Sequence, residues 1–332
     1  MPKTQDQWQG FDLVEAFHLS QAVAALHELG LLAVLTTPRS AAKLAAEFKL
    51  DESILGGTLE YVAGRTDLLR KTSAGRFAVT RNYDIAVQFF LDLYLGAYGG
   101  NASQLKKILR NPGRASTAVD RKRHALAFAQ VGRLSLGALP DIIRQLKFNN
   151  MLDLGCGNGE LLLELGRQDS DFVGCGVDAN PAMLKLARAR VRTTRLQKRI
   201  RFIAGDCRNP GAAVPERVRS KTQSVTACHV ANEMFRDGYE RAVKWLKDLR
   251  RAFPARPLLI CDYYGRLGQK KNGRVEKERE TLLHDFAQLI SGQGIPPANA
   301  RQWRSIYAQA GCQLVHIIED NATTQFIHIL RL

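Results

Sequence analysis

The spacing of apolar residues changes rhythm once along this chain, near residues 147–150. Before that point the apolar positions recur at helical spacing; after it, short apolar runs alternate with helical stretches. Residues 11–35 carry Leu13, Val14, Phe17, Ala22, Val23, Ala25, Leu26 and Leu31 on such a helical pattern. Ser40 and Asp51 stand where N-caps belong, ahead of predicted helices Ala41–Phe48 and Glu52 to about Val62. Two strand-like runs follow, Leu68–Lys71 and Arg76–Thr80, joined by a turn containing Ser73, Ala74 and Gly75. Three helices and a hairpin make a winged-helix pattern. Further helices are predicted at about 84–97, 102–110 and 118–146, with Asn111, Pro112 and Gly113 as the turn between the last two.

The second half predicts strands at Asn150–Leu154, Asp171–Val177, Ile200–Ala204, Ser224–Val230 and Pro257–Cys261, with helices at 158–167, 181–193 and 238–252 between them. Such alternation predicts an α/β fold with a mostly parallel sheet covered on both faces. A helix near 299–310 then precedes Leu314–Ile318 and Thr324–Leu330, which are too close in sequence to pair other than antiparallel. The expected organisation is a helical winged-helix domain at 1–100, linking helices that shape part of a substrate pocket at 101–147, and a Rossmann-like domain at 148–332.

Composition adds limits. With 332 residues, 45% of them hydrophobic, the chain can bury the cores of two domains. No apolar run reaches the roughly 18–20 residues of a membrane span, and Met1 to Gly10 lacks an apolar signal core, so a cytoplasmic protein is expected. Six scattered cysteines without a CxxC pair predict reduced, buried thiols and no bound metal. A net charge of +16 suits an anionic partner. The densest basic stretch (Lys185, Arg188, Arg190, Arg192, Arg195, Lys198, Arg199 and Arg201) reads more simply as a solvated helix face and turn.

The chemistry gathers at strand ends, where open α/β sheets bind ligands. The first strand runs into Asp153-Leu154-Gly155-Cys156-Gly157-Asn158-Gly159. Its glycines permit a tight turn and close backbone approach, and the helix beginning near Asn158 offers free N–H groups. Asp153 can take a cationic amine. Asp178, followed by Ala179, lies about 20 residues on, where nucleotide folds hold a ribose diol. Gly205, Asp206 and Cys207 follow the third strand; there an acid can accept from an adenine amino group beside a small apolar contact. The dinucleotide fingerprint would need glycine at position 160, which is Glu160, so the loop fits a cofactor without a pyrophosphate.

In these motifs the chain resembles the class I methyltransferases that use S-adenosylmethionine and release S-adenosylhomocysteine. More narrowly it is similar to the small-molecule O-methyltransferases that carry an N-terminal winged helix. His27-Glu-Leu-Gly-Leu-Leu, Leu-Ala-Ala-Glu-Phe at 44–48, Arg301-Gln-Trp303 and Ala310-Gly-Cys312 carry the likeness over nearly the whole chain. The resemblance implies a seven-stranded sheet with an antiparallel last strand and a homodimer formed through the N-terminal domain. It implies that Asp153, Gly155 and Gly157 hold the methionine part, Asp178 the ribose and Asp206 the adenine.

The chain departs from that family after the fourth strand. Many members place a His-Asp pair there, the histidine being the base for a phenol; this chain has Asn232 and Glu233. Glu233 is therefore the expected base, with Asn232 orienting a substrate oxygen. The plainer alternative for Glu233 is a salt bridge to Arg236 or Arg241. His229 is expected to meet the cofactor through its backbone. His284 falls in a region the family folds over the substrate, and His124 on the long helix before the second domain. Glu233, His284 and His229 converging on an ion would be a metal-assisted variant.

The leading reading is a methyltransferase of a small specialised metabolite. A C-methyltransferase of an anionic 2-oxo acid or diphosphate also fits. So do an RNA or DNA methyltransferase, which the missing Asn-Pro-Pro-Tyr motif disfavours, and a winged-helix regulator that senses the cofactor.

Overall fold

The structure is a computed structural model, and it describes residues 9–132, 136–269, 275–319 and 324–332. The chain divides into two compact units, Met1–Gly96 and Ala97–Leu332.

The first unit opens with α1 (Gly10–Glu28) and the short α2 (Leu31–Val34), followed by α3 (Ala41–Phe48) and α4 (Glu52–Arg65). Ser40 and Asp51 cap α3 and α4 by accepting from the Lys43 and Ile54 amides. Strands β1 (Leu69–Lys71) and β2 (Phe77–Val79) pair antiparallel with Arg70 opposite Ala78, the expected wing. Leu31, Leu32, Leu35, Leu44, Leu59 and Val62 are fully enclosed between these elements. The predicted helix at 84–97 begins as α5 (Ile85–Phe90) and widens into a π-helix at Leu91–Ala97.

In the second unit α6 (Gly99–Ser103), α7 (Leu105–Arg110), α8 (Arg121–Val131) and α9 (Leu139–Gln145) precede the sheet. The helix predicted at 118–146 is thus two helices. Gly132 and Gly137 both adopt positive φ, which ends α8, and Pro140 opens α9.

The sheet strands are β3 (Asn150–Leu154), β4 (Val173–Asp178), β5 (Ile200–Ala204), β6 (Ser224–Cys228), β7 (Pro257–Tyr263), β8 (Gln313–Glu319) and β9 (Gln325–Arg331). Their order is β5-β4-β3-β6-β7-β9-β8. Strands β3 to β7 run parallel, and β9 is antiparallel to both β7 and β8. The connecting helices are α10 (Glu160–Gln168), α11 (Pro181–Thr193), α12 (Pro210–Ala213), α13 (Glu216–Arg219), α14 (Tyr239–Ala252), α15 (Val275–Ile290) and α16 (Ala300–Ala310).

Each face of the sheet has its own core. One packs Leu152, Leu154, Val225 and Ile260 against Trp245, Leu249 and Trp303; the other packs Met151 and Leu259 against Leu162, Phe172 and Phe202. Each such side chain, once enclosed, contributes roughly 1.5–3 kcal/mol.

The basic stretch is more than a solvated face. Arg190 pairs with the buried Glu160, and Arg188 donates to the Phe202 carbonyl. Arg199 donates to the carbonyls of Gly166, Asp169 and Phe172, stapling the α10–β4 turn. Among the described residues no helix is long and apolar enough to cross a membrane. All six cysteines are free thiols.

Candidate active site

The crossover order of the strands puts the C-terminal ends of β3, β4, β5, β6 and β7 along one edge of the sheet. Strand order reverses beside β3, and that is where an open α/β sheet leaves a crevice.

The loop after β3 turns on three positive-φ glycines, Gly155, Gly157 and Gly159. A Cβ at Gly155 would meet Val230 at 2.7 Å, and one at Gly159 would meet Phe202 at 2.4 Å. At Gly157 the nearest atom is Met183 Sδ at 3.9 Å, so this glycine borders open space. Asn158 is buried, its Oδ1 accepting from the Glu160 amide while its Nδ2 has no partner. An unpartnered, enclosed amide donor in such a loop suits a ligand oxygen.

Asp178 locks the loop to β4. Its Oδ2 accepts from the Gly157 amide at 2.8 Å and its Oδ1 from the Asn180 amide at 2.7 Å. Each carboxylate oxygen keeps a second lone pair for a diol. Ala179, which follows, is exposed. Asp153 lies deeper, 3% exposed, and accepts from Thr226 Oγ1 at 2.7 Å. Burial pushes its pKa up to about 7, with Thr226 opposing and Asp178 reinforcing the shift. A carboxyl poised in this way ionises fully when a cation arrives.

After β5, Gly205 packs against Ala213 and Val177, and Cys207 is buried with its carbonyl fixed by Trp245 Nε1 at 2.9 Å. Asp206 is engaged by a residue that sequence reasoning passed over. Arg208 grips it through Nε and Nη2 at 2.8–3.0 Å and holds its carboxyl below the usual range.

After β6, His229 adopts φ 51° and its amide donates to the Cys261 carbonyl at 2.8 Å. His229 is exposed, and the surrounding protein lowers its pKa. A 3₁₀ turn, Ala231–Phe235, then presents Asn232 and Glu233. Asp262, wholly buried at the end of β7, anchors that turn by accepting from the Asn232 amide at 3.1 Å and from Ala231. The Asn232 Oδ1 is enclosed without a partner.

Glu233 is half-buried and its pKa is raised by burial, with Arg121 and Arg208 opposing and Asp178 and Asp206 adding to the shift. Among the described residues it forms no ion pair with Arg236 or Arg241. Arg121, the first residue of α8, instead shares its field among Glu233, Asp178, Tyr98 and His124. Nothing in the local sequence marked it, because the grouping exists only once α8 is folded beside the sheet.

His284 on α15 lies 3.1 Å from Gln288 Nε2 and edge-on to the Tyr263 ring at 5.0 Å. Burial, then His229 and His124, lower its pKa to about 4; burial and Arg121 bring His124 to about 4 as well. Both rings are neutral at pH 7. Glu233, His284 and His229 do not bring their ligand atoms into one compact group, so the three-residue ion site is not formed among the described residues.

Three comparisons complete the picture. Residues 151–249 match the methyltransferase-domain family. "Methyltransferase ungE'" of Aspergillus campestris (strain IBT 28561) is 29% identical over 247 residues, 69% of this chain and 68% of that protein. The 2-ketoarginine methyltransferase of Streptomyces arginensis is 26% identical over 187 residues, and the match spans about half of each chain, 51% and 53%. In fold the chain is similar to the mitomycin 7-O-methyltransferase MmcR, with a TM-score of 0.77, 17% identity, and 97% and 96% of the two chains covered. The glycine loop, the acids at successive strand ends and the domain matched at residues 151–249 agree: the chain is an S-adenosylmethionine-dependent methyltransferase, and its full-length fold is the one seen in the mitomycin 7-O-methyltransferase.

Proposed function

We propose that this enzyme methylates a small specialised-metabolite acceptor and that Glu233 takes the proton the acceptor must lose. The observation that carries this reading is the state of Glu233: half-buried, raised in pKa and without an ion pair to Arg236 or Arg241. A carboxylate committed to a salt bridge is a poor base; one lifted toward neutrality by burial is a better one.

The bound S-adenosylmethionine supplies an electrophilic methyl group on a sulfonium. The chain's own residues do the rest by positioning. Asp153 is suited to the amino group and the Asn158 side chain to the carboxylate. The backbone of Gly155, Cys156 and Gly157 suits close approach, Asp178 and Ala179 the ribose, and Gly205, Asp206, Cys207 and His229 the adenine side. The Asn232 side chain, whose Oδ1 is enclosed without a partner on a turn anchored by Asp262, is suited to orient the acceptor. His284, neutral and braced by Gln288, adds a polar ring beside Tyr263 without bringing charge. Arg121 is placed to favour an acceptor that is anionic or becomes so.

A second reading is C-methylation of a 2-oxo acid; the name of the Streptomyces relative supports the 2-oxo acid part of it. There Glu233 would remove the proton from the carbon next to the carbonyl, and Arg121 would hold the carboxylate.

Glu233→Gln tests the assignment directly. The variant is expected to bind S-adenosylhomocysteine as before while turnover falls by about 10²–10⁴-fold. Turnover within twofold of the unaltered enzyme sinks the role of Glu233. A homodimer through the N-terminal unit is supported by α1, which leaves Phe11, Leu13, Val14 and Phe17 exposed at 57–76%.

A further inference from the structure

We propose that Cys228, Cys261 and His229 form a binding site for a thiophilic metal ion of the Zn²⁺ type, with one coordination position open. Neither the methyl-transfer reading nor the cofactor contacts make any use of the two thiols.

The site is a product of sheet register. Cys228 and Cys261 are the last paired residues of the parallel strands β6 and β7 and lie directly opposite one another. Their side chains therefore share a face, and the two sulfurs lie within 4.8 Å of one another. On a regular strand the next residue, His229, would point to the other face. It does not continue the strand, because its backbone takes the left-handed conformation at φ 51°. That bend brings its imidazole back, so that the two sulfurs and a ring nitrogen all lie within 4.8 Å of one another. A left-handed conformation in a non-glycine residue is strained and persists where the surroundings enforce it, often at ligand clamps.

The donor set suits the ion. Two cysteine sulfurs and an imidazole are preferred by zinc, and bond lengths of about 2.3 and 2.0–2.1 Å place tetrahedral ligand atoms about 3.5–3.8 Å apart. Side-chain adjustments of roughly an ångström reach that spacing from the present one. Asp153 and Asp262 lie close enough to act electrostatically on Cys228, and each ionises more readily once a cation is beside it. Cys261 is buried and Cys228 half-buried, while His229 is exposed, which gives the ion its way in. Three protein ligands leave a fourth position for water.

The test uses the full-length chain, reduced and stripped of metal, titrated with Zn²⁺ against a chromophoric chelator. One ion per chain is expected. Cys228→Ser and Cys261→Ser should each weaken uptake by at least about 100-fold and His229→Gln by about 10–100-fold. Cys312→Ser should leave it unchanged. Titration of the unaltered chain with Co²⁺ stands apart from any folding defect in the variants. It should give an intense near-ultraviolet thiolate-to-cobalt band and the visible bands of a tetrahedral site. Zinc uptake that survives Cys228→Ser, or cobalt bound without the thiolate band, overturns the proposal, as does the absence of tight uptake by the reduced chain.

Discussion

The carboxyl of Asp153 should make cofactor affinity depend on pH. It is buried behind the glycine loop, its pKa is pushed up to about 7, and its neighbour is the Thr226 hydroxyl rather than a cation. If it receives the amino group of the cofactor, only its ionised form binds well. At pH 7.0 about half the apo-enzyme carries that form, and at pH 5.5 about 3% does. An α-amino group with a pKa near 7.7–8.0 stays protonated across this interval, so it does not oppose the trend. The dissociation constant of S-adenosylhomocysteine should therefore be about 15-fold larger at pH 5.5 than at pH 7.0. Binding should release about one proton at the lower pH and about half a proton at the higher. Calorimetry in buffers of different ionisation enthalpy measures both quantities. Asp153→Asn keeps an acceptor for Thr226 and should bind weakly with little pH dependence. Thr226→Val removes the hydrogen bond that favours ionisation and should move the midpoint upward. An affinity that is flat from pH 5.5 to 7.0 in the unaltered enzyme would refute the assignment of Asp153 to the amino group.

The same raised pKa has a consequence for folding, and Asp262, also pushed up to about 7, shares it. The folded chain holds these protons while the unfolded chain has released them from about pH 4. Their contribution to stability is thus present at acid pH, declines as pH rises through 7 and is constant above; chemical denaturation of the apo-enzyme between pH 6 and 8 should show that decline. Gly159→Ala should cripple cofactor binding and lower the melting temperature, because the new methyl group lands on the Phe202 ring and the position requires φ 79°; a variant with unchanged melting would show that the ring moves freely. Arg199→Ala strips three carbonyls of their shared donor and should cost about 2–4 kcal/mol in denaturant unfolding, with Arg199→Lys recovering only part. The rate of Glu233-dependent turnover should rise with pH through a midpoint above the ordinary glutamate range, since burial raises that group and the base must be ionised.

Much of this was legible before any coordinates, and the reason is locality. The loop from Asp153 to Gly159, Asp178 and Asp206 owe their placement to the rule that successive parallel strands end on one edge, so order along the chain becomes order in space. Ser40 and Asp51 were legible as caps because a cap acts within three residues. The relations that escaped are those between distant segments or set by single backbone angles. Arg121 meets Glu233 only across the folded unit. The facing of Cys228 and Cys261 is a register between strands 33 positions apart, which periodicity does not report. The α8–α9 break depends on Gly132 and Gly137 taking positive φ, which glycine permits without announcing. Arg208 is two residues from Asp206, yet its grip depends on a side-chain conformation.

The exposed stripe on α1 sets how this protein behaves in a tube. Each chain carries a charge of +16, which drives copies apart at low ionic strength, while Phe11, Leu13, Val14 and Phe17 draw apolar surfaces together. Dissolved salt weakens the first force within about 10 Å at 0.1 M and leaves the second intact, so added salt should promote self-association rather than disperse it. Sedimentation in dilute buffer alone would then be a poor test of the proposed homodimer, and the comparison to make is between low and high salt.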